Sequence, residues 1–442
     1  MRPLSFHIET FGCQMNDRDS EIMSQLLAEF CRPAPGLMEA DIVMINTCSI
    51  RQKAEQKAFS LLGTLKHLKS RRPKMIIGVA GCVAQQEGDK LLARLPYVDL
   101  VLGTQNIYKL PELIAEIKSS RRRQTAVSQS ADFEIPPYLP DLRRGPAHKR
   151  FVTIMQGCNN FCTYCVVPYT RGREVSRGMA DILAEISHLT SHGVKEITLL
   201  GQNVNSYGHD LSRQVDFSTL LRKTAAVEGL KRLRFTTSNP KDLNDKLIQC
   251  FAEIDILCPH FHLPVQSGSN NVLKRMNRHY TIEHYRDRVT ALRAARPDIA
   301  LTTDIIIGFP GESEEDFQAT MDLVREIRYH GAYSFKYSDR PQARSAAFGD
   351  KVPEEVKSRR LSLLQEEINR IAAERNKEYV GQVQEVMVEG RSRHSPGQWS
   401  GRAAANHIVN FTDNTNTSLT PGDLVDITIT EACHHSLRGQ HD

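Results

Sequence analysis

The stretch GCNNFCTYCVVPYTRG, residues 157–172, carries Cys158, Cys162 and Cys165 in the spacing C-x3-C-x2-C. A structural zinc site asks for four protein ligands, usually arriving as two short pairs, and this stretch offers a single trio. Its nearest histidine, His148, stands ten residues before Cys158. A four-iron, four-sulfur cluster held by three thiolates is a different case, because one iron keeps no protein ligand and can bind a substrate or cofactor. The trio follows the first predicted strand of a β/α alternation, the end at which such barrels assemble their sites.

Three more cysteines follow a shared positional logic. Cys13, Cys48 and Cys82 come at the carboxyl ends of the predicted strands SFHIETFG, DIVMINTC and KMIIGVAGC. Open parallel α/β sheets gather their sites at those ends, where loops distant in sequence converge. One such cysteine alone reads as an ordinary buried thiol; three at equivalent positions read as a site. Cys31, Cys250, Cys258 and Cys433 stand in or beside predicted elements without partners and read as packing residues.

The elements that must position these residues make the fold class α/β, in three parts. Residues 1–118 alternate apolar strands with amphipathic helices beginning near Asp17, Arg51 and Val83, the pattern of a parallel α/β domain. Residues 119–147 hold four prolines and five arginines without apolar periodicity and read as a linker. Residues 148–377 resume the alternation, with strands near 151–155, 195–200, 231–236, 259–263, 299–307 and 332–337, which suits a partial (β/α)6 barrel. Val356, Leu361, Leu364, Ile368 and Ile371 give the stretch 354–378 one apolar face, so a helix is expected to pack on that barrel. Residues 378–442 turn to short strands, VQEVMVEG, HIVNF and LVDITIT, which suggest a small β-barrel.

Composition sets the bounds. A chain of 442 residues, 40% hydrophobic and 25% charged, can bury sizeable cores and reads as soluble and globular. No apolar run approaches the ~18 residues that span a bilayer, and MRPLSFHIETFG lacks a secretory apolar stretch. A cytoplasmic protein without a membrane partner is therefore expected. Ten cysteines in a reducing compartment are poor disulfide candidates, so clustered ones read as metal ligands or catalytic groups. The net charge of +5 permits a nucleic-acid partner without proving one.

The spacing C-x3-C-x2-C resembles the fingerprint of the radical S-adenosylmethionine superfamily. TFGCQMND, INTCSIRQKAEQKAFSLLG, GVAGCVAQ, GCNNFCTYCVVPYTRGREVSR and HLPVQSGSNNVLKRMNRHYT extend the likeness to nearly the whole chain, which resembles the methylthiotransferases and among them the tRNA-modifying MiaB type. The resemblance implies an amino-terminal domain binding an auxiliary [4Fe-4S] cluster through Cys13, Cys48 and Cys82. It implies a radical domain binding a second [4Fe-4S] cluster through Cys158, Cys162 and Cys165, and a carboxyl-terminal TRAM domain that binds RNA. The implied reaction converts N6-isopentenyladenosine beside the anticodon of tRNA to its 2-methylthio derivative, with S-adenosyl-L-methionine supplying both methyl and radical. The implied partners are tRNA bearing isopentenyladenosine, an electron donor such as a flavodoxin or ferredoxin, and a sulfur donor; a monomer is expected.

Two clusters make chemical sense. The carbon-2 hydrogen of adenine has no acidic character, so neither a general base nor an ordinary nucleophile replaces it, whereas a radical can. Sulfur must then arrive from close by. The auxiliary domain is accordingly expected to cover the open end of the barrel, with a base drawn from a single-stranded loop, where extrusion costs least.

LLGQNVNSYG, FTTSNP and TTDIIIGFPGES follow the second, third and fifth barrel strands, and superfamily analogy implies Gln202, Ser238 and Asp304 as S-adenosylmethionine contacts. The alternative is that they only end strands with turn chemistry. Arg121, Arg122 and Arg123 could meet phosphate or form a solvated surface, while Arg391, Arg393, Arg402 and Trp399 could grip RNA by phosphate contact and stacking. One departure stands out. Where the family commonly reads S-x-R-P-G-T this chain has SDRPQAR, with Gln342 and Ala343 in the Gly-Thr positions, so a different local turn is expected. The rival readings are a sister methylthiotransferase acting on threonylcarbamoyl-adenosine in tRNA or on a ribosomal protein, which NTCSIR and TYCVVPYTRG disfavour, and a non-catalytic zinc RNA-binding module.

Overall fold

The computed structural model describes residues 3–49, 52–142, 147–211, 215–392, 395, 397–415 and 418–442. Arg51, expected at a helix start, and Arg393 lie outside the described residues. The chain forms two compact units, the first comprising Met1–Gly145, Phe151–Asn159 and Val166–Asp181, the second Pro146–Arg150, Asn160–Cys165 and Ile182–Asp442.

The first unit is built on β1 (Ser5–Thr10), α1 (Gln14–Ala28), β2 (Arg32–Pro33), β3 (Ile42–Thr47), α2 (Gln52–Arg71), β4 (Ile76–Gly81), α3 (Cys82–Glu87), α4 (Asp89–Arg94), β5 (Leu100–Leu102), α5 (Leu110–Ser120) and β6 (Gln124–Ala126). Its six strands pair in parallel in the order β2-β1-β3-β4-β5-β6. Alternate side chains feed two cores. Phe6, Ile42, Met44 and Ile76 pack with Ile22 and Leu27 of α1 and Ile114 of α5. Val43, Ile45, Ile77 and Val79 pack with Ala58 and Leu65 of α2 and Leu91 of α4 on the opposite face. Every residue of β3 and β4 is buried, as a parallel sheet covered on both sides requires. The interval 119–147, expected as a linker, is in part sheet: Gln124–Ala126 pairs with β5. Its polar sequence hid it, because an edge strand buries little.

Later in the chain, β7 (Lys149–Thr153) opens the barrel series. Then β8 (Met155–Gln156) pairs antiparallel with β9 (Val175–Ser176), closing the base of segment 157–174, which also contains α6 (Val167–Thr170). After α7 (Met179–Thr190) come β10 (Glu196–Leu200), α8 (Phe217–Ala225), β11 (Arg232–Phe235), α9 (Asp245–Glu253), β12 (His260–His262), α10 (Asn270–Arg275), α11 (Ile282–Ala295), β13 (Ala300–Ile307), α12 (Glu314–Ile327), β14 (Gly331–Lys336) and α13 (Glu354–Lys377). Two three-stranded sheets result, β11-β10-β7 and β12-β13-β14, joined by a parallel bridge from Leu233 to Leu257. Six strands in chain order give the partial barrel expected. Helices α8, α9, α10, α11 and α12 begin at Asp216, Asn244, Ser269, Thr281 and Ser313, whose side chains accept from first-turn amides. Leu364, Ile368 and Ile371 are the buried apolar residues of α13.

The carboxyl-terminal residues close a five-stranded barrel, β15 (Val383–Arg391), β16 (Trp399–Ala403), β17 (Ile408–Asp413), β18 (Leu424–Ala432) and β19 (Leu437–His441), in the order β15-β16-β17-β19-β18. Three of the five were legible; WSGRA and LRGQH carry too few apolar residues to announce strands. This barrel is tied to the larger one within the same unit. Arg232 donates to the Arg402 and Glu385 carbonyls, both at 2.7 Å, and Arg234 to the Ala404 and Ala403 carbonyls at 2.9 and 3.0 Å.

Candidate metal centres

In the first unit Cys13 is the residue before α1, Cys48 follows β3 directly and Cys82 is the first residue of α3. Cys48 and Cys82 are buried, Cys13 half-buried. The loop that carries Cys13 is fastened by Asn16, whose amide nitrogen donates to Asn46 Oδ1 and to the Thr47 carbonyl, both at 3.0 Å. Asn46 returns a bond to the Asn16 carbonyl at 2.9 Å. Gly81 sits at φ +90°, and a Cβ there would come 2.3 Å from the Thr47 carbonyl oxygen, so β4 can pass this closely to the Cys48 loop only with glycine before Cys82. The Cys13 thiol is brought down to about 6 by a hydrogen bond from Cys48 and by the positive charge of Arg171, against burial that pushes it up.

Arg171, from the YTRG end of the long cysteine stretch, belongs to the same unit. It is only 3% exposed, and its Nη2 lies 2.7 Å from Asp19 Oδ2 of α1. Burial opposes its charge, while Asp19, Cys82 and Cys13 sustain it.

Of the second trio, Cys158 lies in the first unit and Cys162 and Cys165 in the second. The Cys158 amide donates to the Gly172 carbonyl at 3.2 Å. Gly157 precedes it at φ +81°, where a Cβ would meet the Arg173 carbonyl oxygen at 1.9 Å. In the second unit the loop bearing Cys162 and Cys165 is held by its own backbone. Thr163 donates from its amide to the Met276 carbonyl at 3.0 Å and from its hydroxyl to the Arg275 carbonyl at 2.9 Å. Asn277 donates to the Asn160 and Phe161 carbonyls, both at 3.1 Å. Arg278, 6% exposed, directs Nη1 at Cys162 Sγ at 3.3 Å, Nη2 at the Pro264 carbonyl at 3.1 Å and Nε at the Tyr280 hydroxyl at 3.2 Å. Burial works against this cation, and Tyr164, Tyr280 and Cys162 hold it charged. Sequence reasoning missed both arginines, although each lies inside a stretch that carried the resemblance.

None of the ten cysteines forms a disulfide. Among the described residues no three of His, Cys, Asp and Glu converge as the ligands of one metal ion would. A polynuclear cluster does not ask that of them, since each thiolate binds a different iron. Thiols backed by a buried guanidinium are a donor set suited to an anionic iron–sulfur cluster.

The expected cofactor contacts fare unequally. Ser238, 7% exposed after β11, has a buried hydroxyl with no hydrogen-bond partner among the described residues. The loop of half-buried Gln202 is stitched to it, Asn205 donating to the Asn239 carbonyl at 2.8 Å and the Asn239 amide to Asn205 Oδ1 at 2.9 Å. Asp304, expected past the end of the fifth strand, instead lies within β13, 3.6 Å from His262 Nε2. Gln342 also departs from expectation: its φ of +70° is the left-handed conformation that glycine favours, so glutamine keeps that backbone rather than a different turn. The adjoining Ser345 amide donates to the Thr163 carbonyl at 2.9 Å, which ties this loop to the cysteine loop.

Arg121, Arg122 and Arg123 are exposed at the end of α5, Arg123 donating to the Leu92 carbonyl at 2.8 Å. Arg391 stacks 3.9 Å from the Trp399 ring centroid, whereas Arg402 is turned inward to the Asn406 carbonyl at 3.0 Å. Cys31, Cys250 and Cys258 are buried as expected; Cys433 is half-exposed beyond β18.

Three family models match parts of this chain. Residues 5–103 match Uncharacterized protein family UPF0004, residues 152–324 the Radical SAM superfamily and residues 377–441 the TRAM domain. A tRNA-2-methylthio-N(6)-dimethylallyladenosine synthase from Desulfotalea psychrophila is 53% identical over 99% of both chains. The chain belongs to this synthase family. A synthase of the same name from Geotalea uraniireducens is 48% identical over 98% of both chains, and one from Clostridium botulinum is 46% identical over 98% of this chain and 96% of its own. The family fold has distant likenesses. A radical S-adenosylmethionine methyltransferase, TsrM, from Kitasatospora setae, solved with cobalamin and a [4Fe-4S] cluster, superposes with a TM-score of 0.56 at 13% identity, over 90% of this chain and 77% of that one. The cobalamin-dependent radical enzyme OxsB gives 0.54 at 12% identity, over 84% and 56%.

Proposed function

We propose that this chain is a radical S-adenosylmethionine methylthiotransferase that places a methylthio group on carbon-2 of N6-dimethylallyl (isopentenyl) adenosine in tRNA. The observation that carries the reading is the pairing of each cysteine trio with a buried arginine in a chain 53% identical, end to end, to a synthase named for that reaction. Cys13, Cys48 and Cys82 would hold one [4Fe-4S] cluster and Cys158, Cys162 and Cys165 the other. When bound, the clusters and S-adenosylmethionine supply the radical, methyl and sulfur chemistry that no side chain can.

The chain's own residues bind, orient and balance charge. Arg278 sets a positive charge against Cys162, and Arg171 against Cys13 and Cys82, in interiors where an unbalanced thiolate would be costly. The Ser238 hydroxyl, with Gln202 on the adjoining loop, is available to a polar cofactor. Asp304 has the weaker claim of the three, since His262 already faces it. The terminal five-stranded barrel would hold the RNA, with exposed Arg391 stacked on half-buried Trp399 as its contact. The protein works as a monomer that takes electrons from a flavodoxin or ferredoxin and sulfur from a separate donor. No helix among the described residues is long and apolar enough to cross a membrane.

The test is anaerobic reconstitution with iron and sulfide, incubation with isopentenylated tRNA and reductant, and mass analysis of the digested nucleosides. The 2-methylthio derivative is expected; its absence from a preparation that carries iron and cleaves S-adenosylmethionine would remove the assignment.

A further inference from the structure

Arg171 is placed too firmly, and left too incomplete, to be a packing residue. The chain around it is pinned. Its own amide donates to the Val167 carbonyl at 2.7 Å, the Thr104 hydroxyl to the neighbouring Thr170 carbonyl at 2.7 Å, and the Gln156 side chain to the Arg171 carbonyl at 3.4 Å. One end of the guanidinium is anchored, with Nη2 2.7 Å from Asp19 Oδ2. Charge nearby is already matched, because Arg18 pairs with Glu21 at 2.9 Å as Arg171 does with Asp19. What is left over is a donor. Among the described residues Nη1 is buried and meets no hydrogen-bond acceptor, while Nη2 is held to Asp19 Oδ2 by charge at 2.7 Å, without the geometry of a hydrogen bond. A buried donor left unmet costs about 1–3 kcal/mol, so a guanidinium fixed in this way implies an acceptor that the polypeptide does not supply. The thiols beside it, Cys13 and Cys82, indicate the acceptor's chemistry.

We propose that Arg171 is a positioning residue for the sulfur that the auxiliary site delivers, donating from Nη1 to an anionic sulfur held at the iron that no cysteine ligates. The inference rests on the reading of Cys13, Cys48 and Cys82 as ligands of the auxiliary cluster. A soft sulfur anion is a poor acceptor in water but a good one in a dry site facing a guanidinium, where a charge-assisted bond is both shorter and stronger. Holding that anion beside the cluster fixes which sulfur meets the activated carbon. Lysine would keep the charge but not the planar pair of donors by which one nitrogen faces Asp19 and another faces the sulfur.

The experiment uses the full chain with Cys158, Cys162 and Cys165 changed to alanine, so that iron reports the auxiliary site alone. Methanethiolate is titrated anaerobically into this protein and into its Arg171→Met, Arg171→Lys and Asp19→Asn versions, followed by the electron paramagnetic resonance of the reduced cluster and by its reduction potential. The starting protein should hold about four irons. Arg171→Met should keep them yet bind methanethiolate about ten- to a hundredfold more weakly, the loss of one charge-assisted bond. Arg171→Lys should recover part of that affinity, and Asp19→Asn should lose less than Arg171→Met. Unchanged affinity and spectrum in an iron-replete Arg171→Met protein would overturn the proposal and leave a buried water as the acceptor. Equal iron loss in Arg171→Met and Asp19→Asn would overturn it in favour of a structural ion pair. Absence of iron from the starting protein would instead overturn the auxiliary-cluster reading on which the inference rests.

Discussion

Replacing Arg278 by methionine separates a structural cation from one that serves a cluster. Methionine keeps much of the side-chain volume and removes the charge. Five bonds are lost: two long ones, to the Tyr164 hydroxyl and Asn239 Oδ1, both at 3.5 Å, and three shorter ones, to Cys162 Sγ, the Pro264 carbonyl and the Tyr280 hydroxyl, at 3.3, 3.1 and 3.2 Å. The last two groups keep other partners: the Tyr280 hydroxyl donates to the Val265 carbonyl at 2.7 Å and approaches the Pro264 carbonyl at 3.5 Å. Without a cluster, Arg278 is a buried cation with no carboxylate in ion-pair reach among the described residues, so its removal also relieves a desolvation cost. The two effects oppose, and the stability of the iron-free chain should move by less than about 1 kcal/mol, a substitution effect of ordinary size. With the cluster in place, Cys162 is a thiolate and the bond to it is charge-assisted, a loss of about 1.5–3 kcal/mol, or roughly ten- to 150-fold in cluster retention. The assay runs in a protein whose Cys13, Cys48 and Cys82 are alanine. Iron loss to a chelator reports the bound state, and urea unfolding reports the iron-free state. Iron retention equal to the parent, together with a loss of several kcal/mol in the iron-free chain, would refute the reasoning and make Arg278 a fold residue.

Other outcomes follow from the same geometry. Changing Cys158, Cys162 and Cys165 to alanine should remove about half the iron and abolish S-adenosylmethionine cleavage, whereas changing Cys13, Cys48 and Cys82 should spare cleavage and abolish the methylthio nucleoside; iron analysis and product mass decide both. Gln342→Gly should relieve the left-handed strain at φ +70° and raise unfolding stability by up to about 1 kcal/mol, read by urea titration, and a lower stability would contradict it. Burial, with His407, Arg375 and Arg293 nearby, holds His330 down at about 3, below the usual imidazole value of 6.5. The folded chain thus binds fewer protons there than the unfolded one, so this stability is complete above pH 6.5 and is lost as pH falls toward 3. His330→Gln should flatten that acid limb of the unfolding profile.

The parts of the fold that were legible in the sequence are those with a strong period. Ile42 to Thr47 and Ile76 to Gly81 are buried throughout and read as strands from composition alone. Leu364, Ile368 and Ile371 announce α13 by helical spacing. Gln124–Ala126 and Leu437–His441 were invisible because they are recruited by a neighbouring strand rather than by their own burial; Leu437 and Gly439 are the buried residues of the second. Gln342 misled for a different reason. Glycine is the easy occupant of a left-handed position, but a loop tied to the cysteine loop through Ser345 and Thr163 can impose that backbone on glutamine at modest cost.

The candidate site divides along the same line. Six cysteines stand out in the sequence as proposed ligands because a cluster needs thiolates, and few other uses of cysteine put three at strand ends or three within eight residues. An arginine carries no such signal. Its ordinary place is the surface, and Arg278 is separated from Cys162 by 116 positions, so only folding brings the cation to the sulfur. Both arginines are fastened before any cluster is present, Arg171 by Asp19 and Arg278 by the Pro264 carbonyl. Each proposed site therefore offers its positive charge already oriented, and an anionic cluster bound there would not need to reorganise the protein to obtain it. That preorganisation is a property of the assembled interior, where a fixed dipole or charge is worth more than one recruited from solvent. It is the part of the chemistry that spacing between cysteines could not express.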